Sequence, residues 1–283
     1  MKVSAIRPLA LCALLSACAQ APKDPAPEIV APAPVSDLYS GIEMRMTVAA
    51  ARDAANRCVE SECDLREDFE QRVARLGAEL SAAAAAQYPE LAARVAHFEF
   101  QIADKAEPAT ASSGDGKVMV FRPVSDFASR DAALAFVLAR EMGHVIARHH
   151  DKNTGVGIAA SVLVTVLFPV LGITRLLTDI GPVAAVGAAG ATGGANASFS
   201  TAGSVAASRA VIAAYRPQQL QEADAVALKL LASLGYDTKA IASAFDLAEL
   251  RTPDSSWMNA LRQSVEKLSA PGGAPTVEAQ TGS

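Results

Sequence analysis

The chain has 283 residues, of which 51% are hydrophobic and only 5% aromatic. A chain of this length can bury one sizeable core, and its excess of alanine over aromatic residues favours closely packed helices over a β-sandwich. Its formal net charge of −5 provides no electrostatic basis for binding nucleic acid, so we exclude that class of partner.

Residues 1–18 have the pattern of a bacterial lipoprotein signal. Lys2 and Arg7 form a basic start, an apolar run follows, and the segment ends in Leu-Ser-Ala-Cys at Cys18. The order is typical of an export signal, and its end resembles the lipobox, whose cysteine becomes lipidated. An ordinary signal peptide and an N-terminal anchor helix are the alternatives. Because Ala19 and not aspartate follows the cysteine, we expect a lipid anchor in the outer membrane of the bacterial envelope, facing the periplasm.

The next segment predicts a spacer and then a folded body. Residues 19–37 are rich in proline and alanine, which is typical of an extended tether. We expect the folded domain to span 38–268. Helical periodicity predicts its first helices at about 38–57, 64–86 and 89–96.

Two cysteines, Cys58 and Cys63, lie near the start of the predicted domain. In an oxidising periplasm we expect them to form one local disulfide. A zinc site is the alternative, although two cysteines without further ligands nearby supply only half of a tetrahedral site.

The middle of the chain predicts a small sheet beside a buried helix. Residues 96–104 and 116–124 have strand patterns, and the segment between them is rich in turn residues. A helix then begins at Asp131, with apolar positions dense enough for a buried element. The expected fold class is therefore α+β, predominantly helical.

An apolar insertion follows this helix. Residues 156–173 carry no charge, and glycine- and alanine-rich sequence continues to about 207. Eighteen residues are marginal for spanning a bilayer, and Pro169 would kink a helix there. We expect a buried or surface-lying hairpin; insertion into the membrane beside the lipid anchor, or a true span, are the alternatives.

The C-terminal part is predicted to be helical again. Helical patterns cover about 218–237, ending in Gly-Tyr-Asp, then about 238–251 and 256–270. Residues 269–283 read as a disordered tail.

The stretch that bears on chemistry is "LAREMGHVIARHH", residues 138–150. In the zinc-peptidase pattern His-Glu-x-x-His, two histidines one helical turn apart share the metal, and the glutamate faces the bound water. Here Glu141 and His144 are present, but Arg140 stands where the first histidine belongs. Arginine does not deprotonate in proteins and therefore cannot be a ligand.

Over about residues 85–268 the chain resembles the CAAX-prenyl-protease-type zinc endopeptidases, gluzincins that include the heat-shock protease X. The resemblance rests on "GKVMVF" (116–121), on "AFVLAREMGHVIARHH" where the family has AFVLGHEMGHVVARH, and on "QLQEADAVALKLLASLGYD" (219–237) where the family has E-x-E-A-D and a helix ending in Gly-Tyr-Asp. It implies a minigluzincin-like peptidase domain. In that family Glu141 would be the general base and His144 the second histidine ligand.

The same resemblance exposes further departures. The family's third ligand is a glutamate four residues before the aspartate that matches Asp224, and this position is Leu220. Glu222 and Asp224 are kept as supporting acidic residues. A histidine that the family often carries in a Ser-Thr-His-Pro segment is missing from the comparable stretch, 254–262.

No other histidine restores the site in a continuous helix. At about 100° per residue, His149 and His150 lie about 140° and 120° around the helix from His144. We therefore expect both on the exposed end of the helix or capping its C-terminus. We also expect the guanidinium of Arg140 to lie near the remaining carboxylates and to offset their charge.

The sequence therefore favours a catalytically inactive member of the peptidase family. We expect no cofactor, or zinc if the activity is retained. Expected partners are unfolded or envelope protein segments, with strand 116–122 as a docking edge, and the membrane, through the lipid anchor and residues 156–173. An active metalloendopeptidase with an atypical metal site and a structural envelope lipoprotein are the alternatives.

Overall fold

The computed structural model describes residues 29–54, 60–159, 216–246, 250 and 255–270. Within these ranges helices dominate, as the composition predicts. The helices are α1 (Ala33–Ala50), α2 (Glu60–Gln87), α3 (Val124–Phe127), α4 (Asp131–Ile146), α5 (149–159), α6 (216–233), α7 (Thr238–Ala244) and α8 (Ser256–Ser269), with a 3-10 turn at Pro89–Ala93.

The described sheet has three strands, β1 (Glu99–Ala103), β2 (Thr110–Ser112) and β3 (Lys117–Phe121). Their spatial order is β1-β3-β2, with β1 parallel and β2 antiparallel to β3. The two predicted strands are confirmed, and so is the mostly helical α+β class. However, β2 lies inside the segment predicted to be only turns. The expectation that 116–122 is a docking edge is wrong, because β3 is the central strand and both its edges are already paired.

Helix α4 lies at the centre of the core. Its apolar positions are buried on every side rather than along one stripe, which is the pattern of an enclosed helix. Helix α2 packs against it through side chains that recur at helical spacing and form one buried face: Phe69, Val73, Leu76 and Leu80. The density of apolar residues after Asp131 predicted this enclosure.

Helices α4 and α6 cross at backbone contact. A Cβ added at Gly143 would lie 2.5 Å from the carbonyl oxygen of Ala223 and 2.9 Å from its Cα. Only glycine allows such an approach, because a side chain would collide with backbone that has no freedom to move. The crossing sets Arg140 of α4 opposite Asp224 of α6.

Helix α4 ends in a turn at residues 147–148 that changes the direction of the chain. Arg148 adopts a φ of 59°, a left-handed conformation that costs a non-glycine residue about 1–2 kcal/mol. Its Nε donates to Asp151 Oδ2 at 2.7 Å, which holds the turn, and Arg94 Nη1 also contacts this carboxylate, at 3.2 Å. Helix α5 therefore leaves in a new direction instead of continuing α4.

The folded body begins earlier than the sequence suggested. Helix α1 starts at Ala33, and the backbone N–H of Ala31 donates to the carbonyl oxygen of Asp151 at 3.0 Å. The expected end of the tether at 37 is therefore too late, because Pro34 near the helix start and the contact to α5 order residues 31–37.

Several predicted segments lie outside the described residues. These are the signal peptide, most of the tether, the insertion beyond residue 159, and the tail beyond 270. In the part of the chain that the structure describes, no helix is long and apolar enough to cross a membrane.

The helix crossing predicts the effect of one added methyl group. Gly143→Ala should lower the free energy of unfolding by about 1–3 kcal/mol, because backbone must shift to admit the Cβ. Gly41→Ala is the matched control, since a Cβ there meets nothing within 4 Å, and it should be neutral or stabilising by up to about 1 kcal/mol. Urea denaturation measures both; equal effects would contradict the close crossing.

Candidate functional site

The first ligand position of the peptidase pattern is filled by an ion pair. Arg140 Nε lies 3.0 Å from Asp224 Oδ1, and the two side chains are only 5% and 15% exposed. Ser264 of α8 donates to the other carboxylate oxygen at 2.5 Å. Burial raises the pKa of Asp224, and the positive charge of Arg140 opposes that rise. The pair therefore neutralises a carboxylate that α6 carries into the interior.

The hydrogen bonding of this pair is incomplete. Among the described residues, Arg140 Nη2 and Asp224 Oδ1 are buried with no hydrogen-bond partner of acceptable geometry. A buried ion pair with unsatisfied polar atoms gives little net stability, because the loss of hydration is not fully compensated. It is nevertheless costly to remove one partner alone, since the other charge would stay buried.

The expected general base, Glu141, faces away from Asp224 and towards the sheet. Thr110 and Ser112 stand two residues apart on β2, so both side chains point to the same side. Their hydroxyls donate to the two carboxylate oxygens of Glu141, at 2.5 Å and 3.0 Å. Trp257 Nε1 donates to Thr110 Oγ1 at 2.8 Å. Burial is the largest influence and raises the pKa of Glu141.

His144 is turned towards another histidine. Its Nδ1 lies 2.8 Å from Nδ1 of His149, and His149 Nε2 lies 2.9 Å from Glu222 Oε2. The carboxylate accepts a hydrogen bond from His149 Nε2, and of the two facing Nδ1 atoms one donates and the other accepts. Burial first, then the neighbouring histidines, holds the pKa of His144 well below its ordinary value, so it is neutral.

The expected positions of His149 and His150 are wrong. His149 is 1% exposed, and His150 Nε2 lies 3.1 Å from Ser112 Oγ. Burial lowers the pKa of His150 to about 4. An exposed position for both residues requires that α4 continue, whereas the left-handed Arg148 ends it and places both histidines at the site.

The side chains at the three positions where the resemblance places ligands do not fit zinc. Arg140 is a cation paired with Asp224, and Leu220, half-buried one helical turn before Asp224, has no donor atom. His144 alone keeps a ligand side chain. Among the described residues, no group of three His, Cys, Asp or Glu side chains is placed to hold a metal ion.

The structure describes only one of the three cysteines for which a role was predicted. Cys63 is disulfide-bonded, whereas Cys58 and Cys18 lie outside the described residues. The pairing of Cys58 with Cys63 and the lipidation of Cys18 stay predictions.

The arrangement defines a class of protein. A buried helix carrying Glu-x-x-His, crossed by a helix that carries Glu222 and Asp224 beside a small mixed sheet, is a metallopeptidase-like domain. The model of Peptidase family M48 matches residues 69–270, which is most of the chain, and the chain belongs to that family. Among curated proteins and among solved structures, none matches significantly.

Sequence reasoning missed several side chains that complete the site: Thr110, Ser112, His149, Trp257 and Ser264. The hydroxyl residues of β2 lie in a segment with turn composition, so no periodicity marked them. Trp257 was visible as the single tryptophan of the chain, in the stretch where the family carries its accessory histidine.

The buried state of Glu141 predicts an opposite pH response for two carboxyl variants. A raised pKa in the folded state means that Glu141 favours folding below about pH 4.5 and opposes it as pH rises through the raised value. Stability of Glu141→Gln relative to the parent should therefore increase from pH 4 to pH 7. Glu222, whose pKa is lowered by His149 and Lys152 against the effect of burial, gives the control.

Relative stability of Glu222→Gln should decrease over the same range, because a lowered pKa stabilises the fold above the unfolded value. Chemical denaturation of the three proteins at each pH measures both trends. If Glu141→Gln loses relative stability as pH rises, Glu141 is not held in a burial-dominated environment.

Proposed function

We propose that this chain is a catalytically inactive member of the M48 family that binds extended segments of unfolded or envelope proteins. In this proposal it is anchored through a lipid on Cys18 in the bacterial envelope and faces the periplasm. The observation that carries the loss of activity is the Arg140–Asp224 ion pair at the first ligand position.

Two requirements of metal-assisted peptide hydrolysis are not met by these side chains. The reaction needs a ligand set that holds a Lewis acid, and a carboxylate free to move a proton. Arg140 and Leu220 cannot coordinate, and the two oxygens of Glu141 are both held by hydroxyl donors of β2. Glu141 therefore links α4 to the sheet through two hydrogen bonds instead of acting as a base.

Binding of an extended segment is supported by the other side of the sheet. Over the described residues, no strand pairs with the outer edge of β1 between Glu99 and Ala103, and directly after it Lys105 forms an isolated bridge with Asp53. A cavity of about 410 Å³ lies beside β1. Its walls are Val73, Ala74, Phe100 and Ile102, and its rim carries Glu70, Asp104 and Arg122.

The rim carries two carboxylates and one guanidinium. Arg122 Nη2 lies 2.9 Å from Glu70, and its Nε bonds to Asp104. The rim therefore keeps an excess of one negative charge, while Val73, Ala74, Phe100 and Ile102 supply apolar contact. A strand added to the edge of β1 supplies main-chain hydrogen bonds and places alternate side chains over the cavity.

The first test concerns metal and cleavage. The purified full-length protein should hold far less than one zinc per chain and should leave denatured casein uncut with or without chelator. Element analysis and a casein assay measure this. Stoichiometric zinc together with chelator-sensitive cleavage that Glu141→Gln abolishes would show an active peptidase instead.

A reconstructed ligand set provides the matched control. Arg140→His combined with Leu220→Glu restores the family's ligand types, and should raise zinc affinity at least about 100-fold, since even outer-shell changes alter affinity 10–100-fold. Competition with a zinc-binding dye measures it. An equally weak affinity in parent and variant would mean that the fold, rather than the two substitutions, prevents binding.

The binding surface can be tested separately from the metal site. Ala74→Arg places a long side chain at the mouth of the cavity on an exposed position of α2, and should weaken binding of fluorescent reduced casein about tenfold. Ala78→Arg, also exposed and one turn further along α2, should bind as the parent does. Equal binding by both variants would exclude the β1 edge as the docking surface.

A further inference from the structure

Helix α1 buries two serines and one methionine and exposes most of its large apolar side chains. The buried positions are Ser36, Ser40 and Met44. Ser40 Oγ donates to the carbonyl oxygen of Ser36 at 2.7 Å and accepts from the backbone N–H of Gly114 at 2.8 Å. A helix that packs on a core normally turns its large apolar residues inward, so the inverted pattern implies a second apolar environment outside.

The outward residues form one continuous stripe, which we call the α1 stripe. It contains Val35, Leu38, Tyr39, Ile42 and Met46, with 37%, 64%, 59%, 47% and 61% exposed surface. At about 100° per residue these five positions fall within an arc of about 100°. Scattered apolar residues on a surface need no explanation, but a contiguous stripe marks an interaction site.

The neighbouring chain extends the apolar surface. Ile29 and Val30 precede α1 and are 50% and 39% exposed. A Cβ at Gly155 would lie 2.4 Å from the carbonyl oxygen of Ile29, so α5 runs against this segment. Residues 156–159, which directly follow Gly155, therefore begin at the same corner of the molecule.

We propose that the α1 stripe lies on a lipid bilayer. Ten residues separate Ile29 from Cys18, and a fully extended chain of that length spans at most about 40 Å. A lipid on Cys18 would therefore hold α1 within reach of the membrane surface. The geometry of the helix stands without this anchor, and only its distance from the bilayer depends on it.

The charge pattern favours apolar insertion over attraction to anionic lipid. Arg45 lies about 20° beyond one margin of the stripe and Glu43 about 40° beyond the other, by the same helical spacing. These opposite charges leave the margin almost neutral. Such a helix lies in the plane of the interface with its apolar side about 5–10 Å into the headgroup boundary, and the ring and hydroxyl of Tyr39 suit that depth.

The test uses the chain from Ala19 onward, which lacks the predicted signal and lipid but keeps every described residue. It should float with phosphatidylcholine vesicles. Leu38→Gln, Ile42→Gln and Met46→Gln together should reduce the partition coefficient at least about tenfold. Leu65→Gln is the control, because Leu65 is 70% exposed and lies on α2, outside the stripe.

Additional measurements separate the outcomes. The triple variant should keep the thermal midpoint of the parent, because its changes lie on the surface, and both should be monomeric by light scattering. Equal flotation of parent and triple variant would overturn the proposal. So would a parent that stays free of vesicles but forms dimers that the triple variant loses, since the stripe would then bind a second copy.

Discussion

The contact of Gly143 with Ala223 is the constraint on which the rest of the site depends. It brings α4 and α6 to backbone distance, so that Arg140, one turn before Gly143, faces Asp224, the residue after Ala223. Arg140 is placed in the interior by this crossing. An unpaired guanidinium there would cost several kcal/mol, and Asp224 on the opposing helix supplies the counter-charge.

The polar groups of the site are bonded to protein in three separate directions. Arg140 turns to α6, Glu141 to β2, and His144 to His149 at the start of α5. In an arrangement built for metal chemistry, ligands and base converge on one point. Because neighbouring residues of one helical turn bond in different directions, they connect α4 to three other elements. Thr110 and Trp257 belong to this network, since Thr110 bonds to Glu141 and Trp257 bonds to Thr110.

The sequence predicted the elements with long periodic patterns, namely α4, α6, α8 and the strands β1 and β3. It did not predict β2, because three small residues, Thr-Ala-Ser, are too few to show a period. It also misplaced His149, since one left-handed residue, Arg148, redirects the chain and nothing in its side chain type signals that. The sequence did predict that Arg140 lies near a carboxylate, and it pairs with Asp224. Attraction between opposite charges acts through space, so this prediction did not depend on the exact ends of the helices.

Asp151 connects the site to the proposed membrane face. Its buried carboxylate is bonded to Arg94 and to Arg148, so it holds the turn that carries His149 back to His144. Its carbonyl oxygen accepts from Ala31, which orders the chain just before α1. Because one residue fixes both contacts, the orientation of the α1 stripe is tied to the same turn that shapes the site. A protein held on a bilayer by that stripe would therefore present its site and the β1 edge at a fixed angle to the membrane.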